Sequence, residues 1–321
     1  MTKIGYHASH EQFAPSELLH CVRQAERAGF QCAKSSDHIS PWSERQGHSG
    51  FAWSWLGAAM HATALPFGII SAPGYRYHPA VLAQAAATIG EMFPGRFWLS
   101  LGSGEAINES ITGEYWPEKA ERNARLRECV DITRALFDGE TVTHRGRVTV
   151  VEAKLWSRPT QPVPIYGAAV TEETARFAGQ WADGLLTTGG ADVDGVRKVI
   201  DAFRERGGEG KPIVLQAALC WAESRALAEQ QAVHQWSSAS IGGDAMWDLR
   251  QPKEFDTISG KVTVDEMREV IPISEDVSFH LEWISRLIEL GVDEIHLHQV
   301  GRNQEAFIET FGAKVLPQLR A

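Results

Sequence analysis

The sequence is poor in cysteine, and the cysteines that it has form no recognisable pattern. There are four among 321 residues, widely spaced and without a CxxC pair: Cys21, Cys32, Cys129 and Cys220. This spacing indicates neither a redox pair nor a zinc site. We therefore expect buried thiols in a reducing compartment and no bound metal.

Signals for membranes, secretion and nucleic acid are also missing. No apolar run approaches the roughly 20 residues that span a bilayer, and the first residues lack the basic-then-apolar pattern of a signal peptide. The formal net charge of −10 argues against a basic surface for nucleic acid or anionic membranes. Neither GxGxxG nor GxxxxGK occurs, so a Rossmann or P-loop site has no support. We expect a soluble, cytoplasmic protein whose partner is a small molecule.

Strand-like and helix-like segments alternate along the chain. The hydrophobic content of 43% supports a large core, and a barrel enzyme can use this length as one domain, so we expect residues 1–321 to form a single domain. Regular βα alternation predicts a parallel sheet, and eight units predict closure into a (β/α)8 TIM barrel. The predicted strands are residues 3–8, 31–35, 67–72, 97–102, 164–169, 184–188, 212–221 and 294–299.

Two stretches interrupt this alternation. Residues 141–151 place valines on both sides of a polar turn that contains Gly146, which predicts a β-hairpin inserted before the fifth barrel strand. Residues 237–278 show no strong period. We expect them to form short helices over the barrel mouth, as a lid or wall.

Ionisable residues follow two of the predicted strands. Asp37, His38 and Trp42 come after the second strand, and Glu105 comes after the fourth. Chemistry in parallel α/β barrels is located at the carboxyl ends of the strands, so these residues predict a catalytic pocket. Histidine suits general-base work because its ordinary pKa lies near neutrality. Structural alternatives stay open here: Asp37 as a cap, Trp42 as core, and Glu105 as a charge at a helix start.

The sequence resembles the bacterial luciferase-like flavin oxidoreductases along nearly its whole length. The resemblance is carried by the segments GYHAS, EQFAP, SDH, RYHP and GSGE, which begin at Gly5, Glu11, Ser36, Arg76 and Gly102. Within this superfamily the chain resembles the F420-dependent glucose-6-phosphate dehydrogenase type. It is more similar still to a group described as probable non-F420 flavinoid oxidoreductases. The resemblance implies a (β/α)8 barrel, either FMN or coenzyme F420 at the strand ends, and a homodimer.

The same resemblance implies roles for individual residues. His38 and Trp42 match an active-site histidine and tryptophan beside the reactive ring carbon, and Glu105 matches a proton-handling glutamate. Ile69 and Ile70 match a pair that is joined by a non-prolyl cis peptide behind the cofactor ring. The implied cofactor-binding residues are Asp37, Ile69, Ile70, Gly104, Asn108, Ala168, Ala169, Val170, Thr171 and Thr188.

The sequence departs from the family pattern at two places, one expected to contact the cofactor and one expected to contact the substrate. The glycine pair after the fifth strand is replaced by Ala168 and Ala169, so Thr171, at a helix start, is expected to supply the anion contact. The lysine that holds the sugar phosphate in the glucose-6-phosphate type is Ala191 here. We therefore expect a neutral, partly apolar substrate, such as an alcohol, a ketone or an unphosphorylated sugar derivative.

Three classes of function stay open. The first is a dehydrogenase or reductase that exchanges hydride with FMN or coenzyme F420, with His38 as the base and Glu105 as the proton donor to the ring; an alcohol, carbonyl or activated alkene would be the substrate. The second is a two-component monooxygenase that uses reduced FMN and oxygen with a partner flavin reductase. The third is a flavin-binding or sensor protein without turnover. Oxygen uptake would identify the second class, and tight flavin binding without turnover would identify the third.

Overall fold

The computed structural model describes residues 1–243 and 245–319. Within them, parallel strands close into a barrel in the order β1-β2-β3-β4-β7-β8-β9-β11, which confirms the predicted (β/α)8 TIM barrel. The strands in chain order are β1 (Lys3–Ala8), β2 (Cys32–Ser35), β3 (Phe67–Ser71), β4 (Phe97–Leu101), β5 (Val142–Arg145), β6 (Thr149–Ala153), β7 (Ile165–Ala168), β8 (Gly184–Gly189), β9 (Ile213–Trp221), β10 (Ile273–Ser274) and β11 (Glu294–Gln299).

The helices surround the barrel and begin and end where local sequence favours it. Pro15 occupies the first turn of α1, and Gly29 ends that helix with a φ of 98°, a left-handed conformation that glycine adopts without steric cost. The helices are α1 (Pro15–Ala28), α2 (Ala52–Ala62), α3 (Pro79–Met92), α4 (Ala106–Glu109), α5 (Lys119–Phe137), α6 (Glu172–Gly179), α7 (Val193–Phe203), α8 (Arg225–Trp236), α9 (Ala245–Asp248), α10 (Pro252–Ser259), α11 (Val264–Val270), α12 (Val277–Ile288), α13 (Gln304–Lys314) and α14 (Leu316–Leu319).

Alternation along each strand divides the core into an outer and an inner layer. Ile69 and Leu99 face outward into the main core between barrel and helices. Trp98 and Tyr166 face inward, where their rings stack at 5.2 Å near the amino-terminal end of the barrel. Gly68 leaves the space for this layer, because a Cβ at that position would lie 2.0 Å from the Trp98 ring. The amino-terminal end is therefore filled with side chains.

Both predicted insertions are present. β5 and β6 form an antiparallel hairpin whose Val148 and Val150 pack against α5. The segment after α8 contains α9, α10 and α11, and ends in β10, which pairs with β9. Phe255 of α10 is fully buried in a cluster with residues of the barrel mouth, so this segment forms a wall of the mouth.

None of the helices in the described part of the chain is long and apolar enough to cross a membrane.

Candidate active site

The loops after β1, β2 and β4 bring four polar side chains together at the carboxyl end of the barrel. His38 follows β2, and its Nε2 atom lies 3.5 Å from Glu11 Oε1 and 3.7 Å from Glu105 Oε2. Its Nδ1 atom lies 3.2 Å from the side-chain nitrogen of Asn108. The His38 side chain is 11% exposed, so it is held by neighbours yet accessible to a small ligand.

Asn108 determines which nitrogen of His38 carries the proton. The amide oxygen of Asn108 accepts the backbone N–H of Ile39 at 3.1 Å, which fixes the orientation of the amide. The amide nitrogen donates to Glu105 Oε2 at 3.1 Å and to His38 Nδ1. Because Nδ1 is an acceptor in this arrangement, the neutral ring is assigned its proton on Nε2, the side that faces Glu11 and Glu105.

Glu11 is the buried carboxylate behind His38. Its Oε2 atom accepts the hydroxyl groups of Ser9 and Ser36, each at 2.9 Å. Burial opposes ionisation of Glu11, but the charge of His38 and hydrogen bonds that include Ser36 outweigh it and lower the pKa. Glu11 therefore stays ionised at neutral pH and presents a fixed negative charge to the imidazole.

Glu105 is the second carboxylate, and its proton affinity differs from that of Glu11. It occupies the position before α4, yet its side chain makes no capping hydrogen bond and turns toward His38 and Asn108 instead. Burial raises the pKa of Glu105, although attraction to His38 opposes the rise. Of the two carboxylates that face Nε2, Glu105 is therefore the better proton acceptor.

An apolar wall covers one side of His38. The ring of Trp42 lies 4.9 Å from the His38 ring and meets Phe255 edge-on at 5.4 Å. Trp42 thus belongs to the site and to a small core at once. The other apolar residues of this wall are Ile107, Ile241, Met246 and Leu249.

Asp37 is fixed by donors from the loop after β3. Ser71 donates to its Oδ2 atom at 2.6 Å, and the Tyr77 hydroxyl donates to Oδ1 at 3.0 Å. The Arg76 guanidinium lies 3.4 Å from Oδ2 and donates to the Asp37 backbone oxygen at 2.8 Å. The carboxylate therefore anchors a network beside the site and caps no helix in this structure.

Arg76 also links Asp37 to a further carboxyl group. Glu109 of α4 accepts the backbone N–H of Arg76 at 2.8 Å, and its other oxygen lies 3.7 Å from Arg76 Nε. Burial raises the pKa of Glu109 to about 7, although the charge of Arg76 opposes the rise. One guanidinium is therefore shared by two acidic groups, of which Glu109 is partly protonated at neutral pH.

Small residues open the backbone between β4 and β7. Gly104 has a φ of +85°, and a Cβ there would lie 2.9 Å from the Glu109 side chain. A Cβ on Gly102 would lie 3.5 Å from the Cβ of Ala168, so side chains are short on both strand ends. We call this edge, which consists of Gly102, Gly104 and Ala168, the shelf.

Ile69 and Ile70 lie at the end of β3 and face opposite ways. Ile69 is fully buried in the outer core, whereas Ile70 is partly buried against the inner layer. The described residues contain no cis peptide bond, so Ile69 and Ile70 are joined by a trans peptide, unlike the family pair that they match. β3 continues as a regular strand here, with Ile69 opposite Leu99 and Ile70 opposite Ser100.

The remaining predicted cofactor positions follow β7 or lie near the end of β8; β7 pairs with β4, and β8 pairs with β7. Ala169 is buried, and Val170 is 41% exposed. Thr171 precedes α6, where its hydroxyl oxygen accepts the backbone N–H of Thr174 at 3.3 Å. Thr188 is exposed near the end of β8. Ala169, Val170 and Thr171 therefore directly follow the shelf residue Ala168 along the chain, and Thr188 lies on the next strand of the barrel.

Three residues of the site had no predicted role. Glu11 follows β1, so the rule that identified Asp37 at a strand end also applies to it. Arg76 and Glu109 are different, because their importance lies in a buried ion-pair network that joins two separate loops. No periodicity or spacing in the sequence identifies such a network.

Comparison with known proteins identifies a family and named relatives for this chain. The family model described as "Luciferase-like monooxygenase" matches residues 1–285. A protein of Microbacterium testaceum (strain StLB037), named F420-dependent glucose-6-phosphate dehydrogenase, is 34% identical over 328 residues, covering 99% of this chain and 97% of that protein.

Solved structures show the same architecture. An F420-dependent secondary alcohol dehydrogenase, in complex with an F420-acetone adduct, has a TM-score of 0.91 and 29% identity, covering 100% of this chain and 99% of that one. A long-chain alkane monooxygenase has a TM-score of 0.73 at 15% identity, covering 99% and 91%, and shares the fold. The chain belongs to the luciferase-like monooxygenase family and is an enzyme of that family.

Proposed function

We propose that this enzyme is a coenzyme F420-dependent oxidoreductase that oxidises a small neutral alcohol, or reduces the matching carbonyl compound. One observation carries the proposal: an accessible imidazole lies between two carboxylates of different proton affinity, beside an apolar wall. This arrangement suits removal of a hydroxyl proton from a substrate with an apolar body. The names of the relatives support the choice of F420 over FMN.

The residues at the barrel mouth fit a planar deazaflavin. The shelf brings bare backbone to the surface between β4 and β7, and Ile70 offers an apolar contact next to it. Asp37 supplies a fixed carboxylate, and Val170 and Thr171 precede α6, where an anionic group is favoured. When bound, the deazaflavin supplies the hydride chemistry.

The proton of the substrate hydroxyl is handled by His38 and Glu105 together. Nε2 already carries a proton and donates a hydrogen bond to the substrate oxygen, while the ionised Glu105 carboxylate accepts the hydroxyl proton at Oε2. The imidazole stays neutral, and Glu105 holds the proton. Glu11 stays ionised and holds the Nε2 side of the ring by its negative charge. Asn108 donates to Nδ1, which keeps the ring proton on Nε2.

The substrate pocket favours a neutral molecule over a sugar phosphate. Ala191 replaces the lysine of the glucose-6-phosphate type, and its backbone N–H donates to the Val270 oxygen at 3.0 Å. The adjacent Gly190 is held by Trp283, whose indole donates to the Gly190 oxygen at 2.9 Å. This loop is therefore packed under α11 and α12, and a small apolar side chain stands where a phosphate would need a cation.

The proposal is tested by cofactor binding and turnover in parallel. Coenzyme F420, FMN and reduced FMN are titrated into the purified protein, and the preferred one is assayed with secondary alcohols and with glucose 6-phosphate. We expect the tightest binding for F420 and saturable F420 reduction by alcohols. Efficient oxidation of glucose 6-phosphate would overturn the substrate assignment. Oxygen uptake with reduced FMN would overturn the reaction class in favour of the monooxygenase.

A further inference from the structure

A second cluster of ionisable groups lies at the amino-terminal end of the barrel, opposite the active site. Cys32 begins β2, and Glu294 and His296 face inward from β11; all three are buried. One ligand atom of each lies within 4.8 Å of the others. His296 Nε2 lies 3.0 Å from Glu294 Oε2 and 3.9 Å from Cys32 Sγ. The proposed reaction uses none of them.

The register of three adjacent strands explains why these side chains meet. Gly5 of β1 pairs with His296 on one side and with Cys32 on the other. A Cβ at Gly5 would lie 2.5 Å from His296 Nδ1 and 2.7 Å from Cys32 Sγ. The missing side chain thus leaves the space into which both neighbours turn, and the convergence follows from the strands themselves.

We propose that Cys32, Glu294 and His296 bind a single divalent zinc ion. Thiolate, imidazole and carboxylate are the three side-chain ligands that zinc takes in proteins. Around a tetrahedral ion with bonds of about 2.0–2.3 Å, neighbouring ligand atoms lie roughly 3.2–3.8 Å apart. The two separations from His296 Nε2, 3.0 and 3.9 Å, bracket that range, and Cys32 and Glu294 lie within 4.8 Å of each other, so side-chain movements of about 1 Å suffice.

Zinc binding changes the protonation of Cys32 and His296 and neutralises the charge of the ligands. The Cys32 thiol releases one proton to solvent, and the His296 ring moves its proton from Nε2 to Nδ1, which frees Nε2 for the metal. Zinc then neutralises one thiolate and one carboxylate. A water molecule completes four ligands.

Two neighbours act as outer partners of the site. Trp98 Nε1 donates to Glu294 Oε2 at 3.2 Å, an outer-shell contact of the kind that orients metal ligands. Lys3 Nζ lies 3.2 Å from Glu294 Oε1, and its side chain is 50% exposed. Lys3 therefore neutralises Glu294 before the metal enters and marks the side from which an ion reaches the cluster.

Cobalt substitution of the full-length protein tests the site. Protein stripped with a chelator is titrated with Co²⁺ and then with Zn²⁺. We expect one equivalent of Co²⁺, a thiolate charge-transfer band, and loss of the band as Zn²⁺ displaces cobalt. Cys32→Ser should abolish the band. Cys220→Ser is the matched control, because that buried thiol donates to the Ala228 backbone oxygen and should leave the band unchanged.

Two further measurements keep the test decisive if Cys32→Ser fails to fold. X-ray absorption of the cobalt-loaded wild type should show one sulfur ligand among nitrogen and oxygen ligands. Trp98→Phe should weaken zinc binding by about 10–100-fold, as expected for loss of an outer-shell donor. Absence of stoichiometric cobalt binding, or a band that persists in folded Cys32→Ser, would overturn the proposal and leave the cluster a hydrogen-bonded network.

Discussion

The two ends of the barrel each hold a histidine beside carboxylates, yet Glu105 and Glu109 at the mouth differ from Glu294 at the other end in the direction of their pKa shifts. At the mouth, burial raises the pKa of Glu105 and raises that of Glu109 to about 7. At the amino-terminal end, burial also opposes ionisation of Glu294, but His296 and Lys3 lower its pKa to about 2.

The number of donors explains the difference. Glu294 receives hydrogen bonds from Lys3, His296 and Trp98. Glu105 receives one from Asn108, and Glu109 one from the Arg76 backbone. A fully partnered carboxylate holds its charge and fixes strands together. A carboxylate with few partners takes up a proton more readily, which is what catalysis at the mouth requires.

The largest effect is expected from removing the imidazole at the mouth. His38→Ala should lower turnover by about 10²–10³-fold, the usual cost of losing a hydrogen-bond donor to an oxygen that gains negative charge. Cofactor affinity should change little, since Asp37 and the shelf are left intact. Steady-state kinetics and fluorescence titration separate the two quantities. A variant that turns over normally but binds cofactor poorly would make His38 a binding residue.

A paired substitution distinguishes the two carboxylates that face Nε2. Glu105→Gln should cost about 100-fold in turnover, because the proton acceptor is lost. Glu11→Gln should cost about tenfold, since a glutamine oxygen still accepts from Ser9 and Ser36 and only the charge is lost. Comparison of kcat for both variants checks this order. Equal losses, or a larger loss for Glu11→Gln, would contradict the assigned roles.

At the other end, Glu294→Gln should destabilise the metal-free protein. Because the folded pKa of Glu294 lies near 2, below its ordinary value of 4.5, ionised Glu294 stabilises the fold above pH 4.5. The variant should lose on the order of 3 kcal/mol of unfolding free energy at pH 7. The gap to wild type should close as the pH falls toward 2. Urea unfolding with a chelator present measures the difference in unfolding free energy between the variant and wild type. A difference that does not depend on pH would contradict this account.

Glu109→Gln should show the opposite pH dependence. The folded pKa of Glu109 is about 7, above 4.5, so wild type loses stability as the pH rises through this interval. Glutamine carries no proton to lose, and the variant should gain about 2–3 kcal/mol on wild type between pH 5 and pH 8. The same unfolding series provides the measurement. A variant that falls further behind wild type at pH 8 would show that Glu109 acts as an ionised partner of Arg76.

Much of the fold was predictable because its strands are buried apolar runs with sharp polar ends. The observed strands begin and end within about two residues of those predicted, and the hairpin and the lid helices occur where the alternation breaks. The family was predictable from short motifs around the site. Asp37, His38, Trp42 and Glu105 lie where the strand-end rule places them, although their roles stay predictions.

Features that depend on contacts between distant parts of the chain could not be predicted from the sequence. Cys32 and His296 are 264 positions apart, and only the pairing of both with Gly5 shows that they meet. The proton position on His38 depends on the orientation of the Asn108 amide. The family's cis peptide did not carry over to Ile69 and Ile70, because the strand is regular there.

Single-turnover hydride transfer tests the central claim most directly. The protein is mixed anaerobically with oxidised coenzyme F420 and a secondary alcohol, with hydrogen or deuterium on the carbinol carbon, and deazaflavin absorbance is followed. We predict loss of the oxidised absorbance, slower with the deuterated alcohol and strongly suppressed in His38→Ala. No reduction of bound F420 by any alcohol, or equal rates in wild type and His38→Ala, would contradict the assignment of hydride transfer to this site.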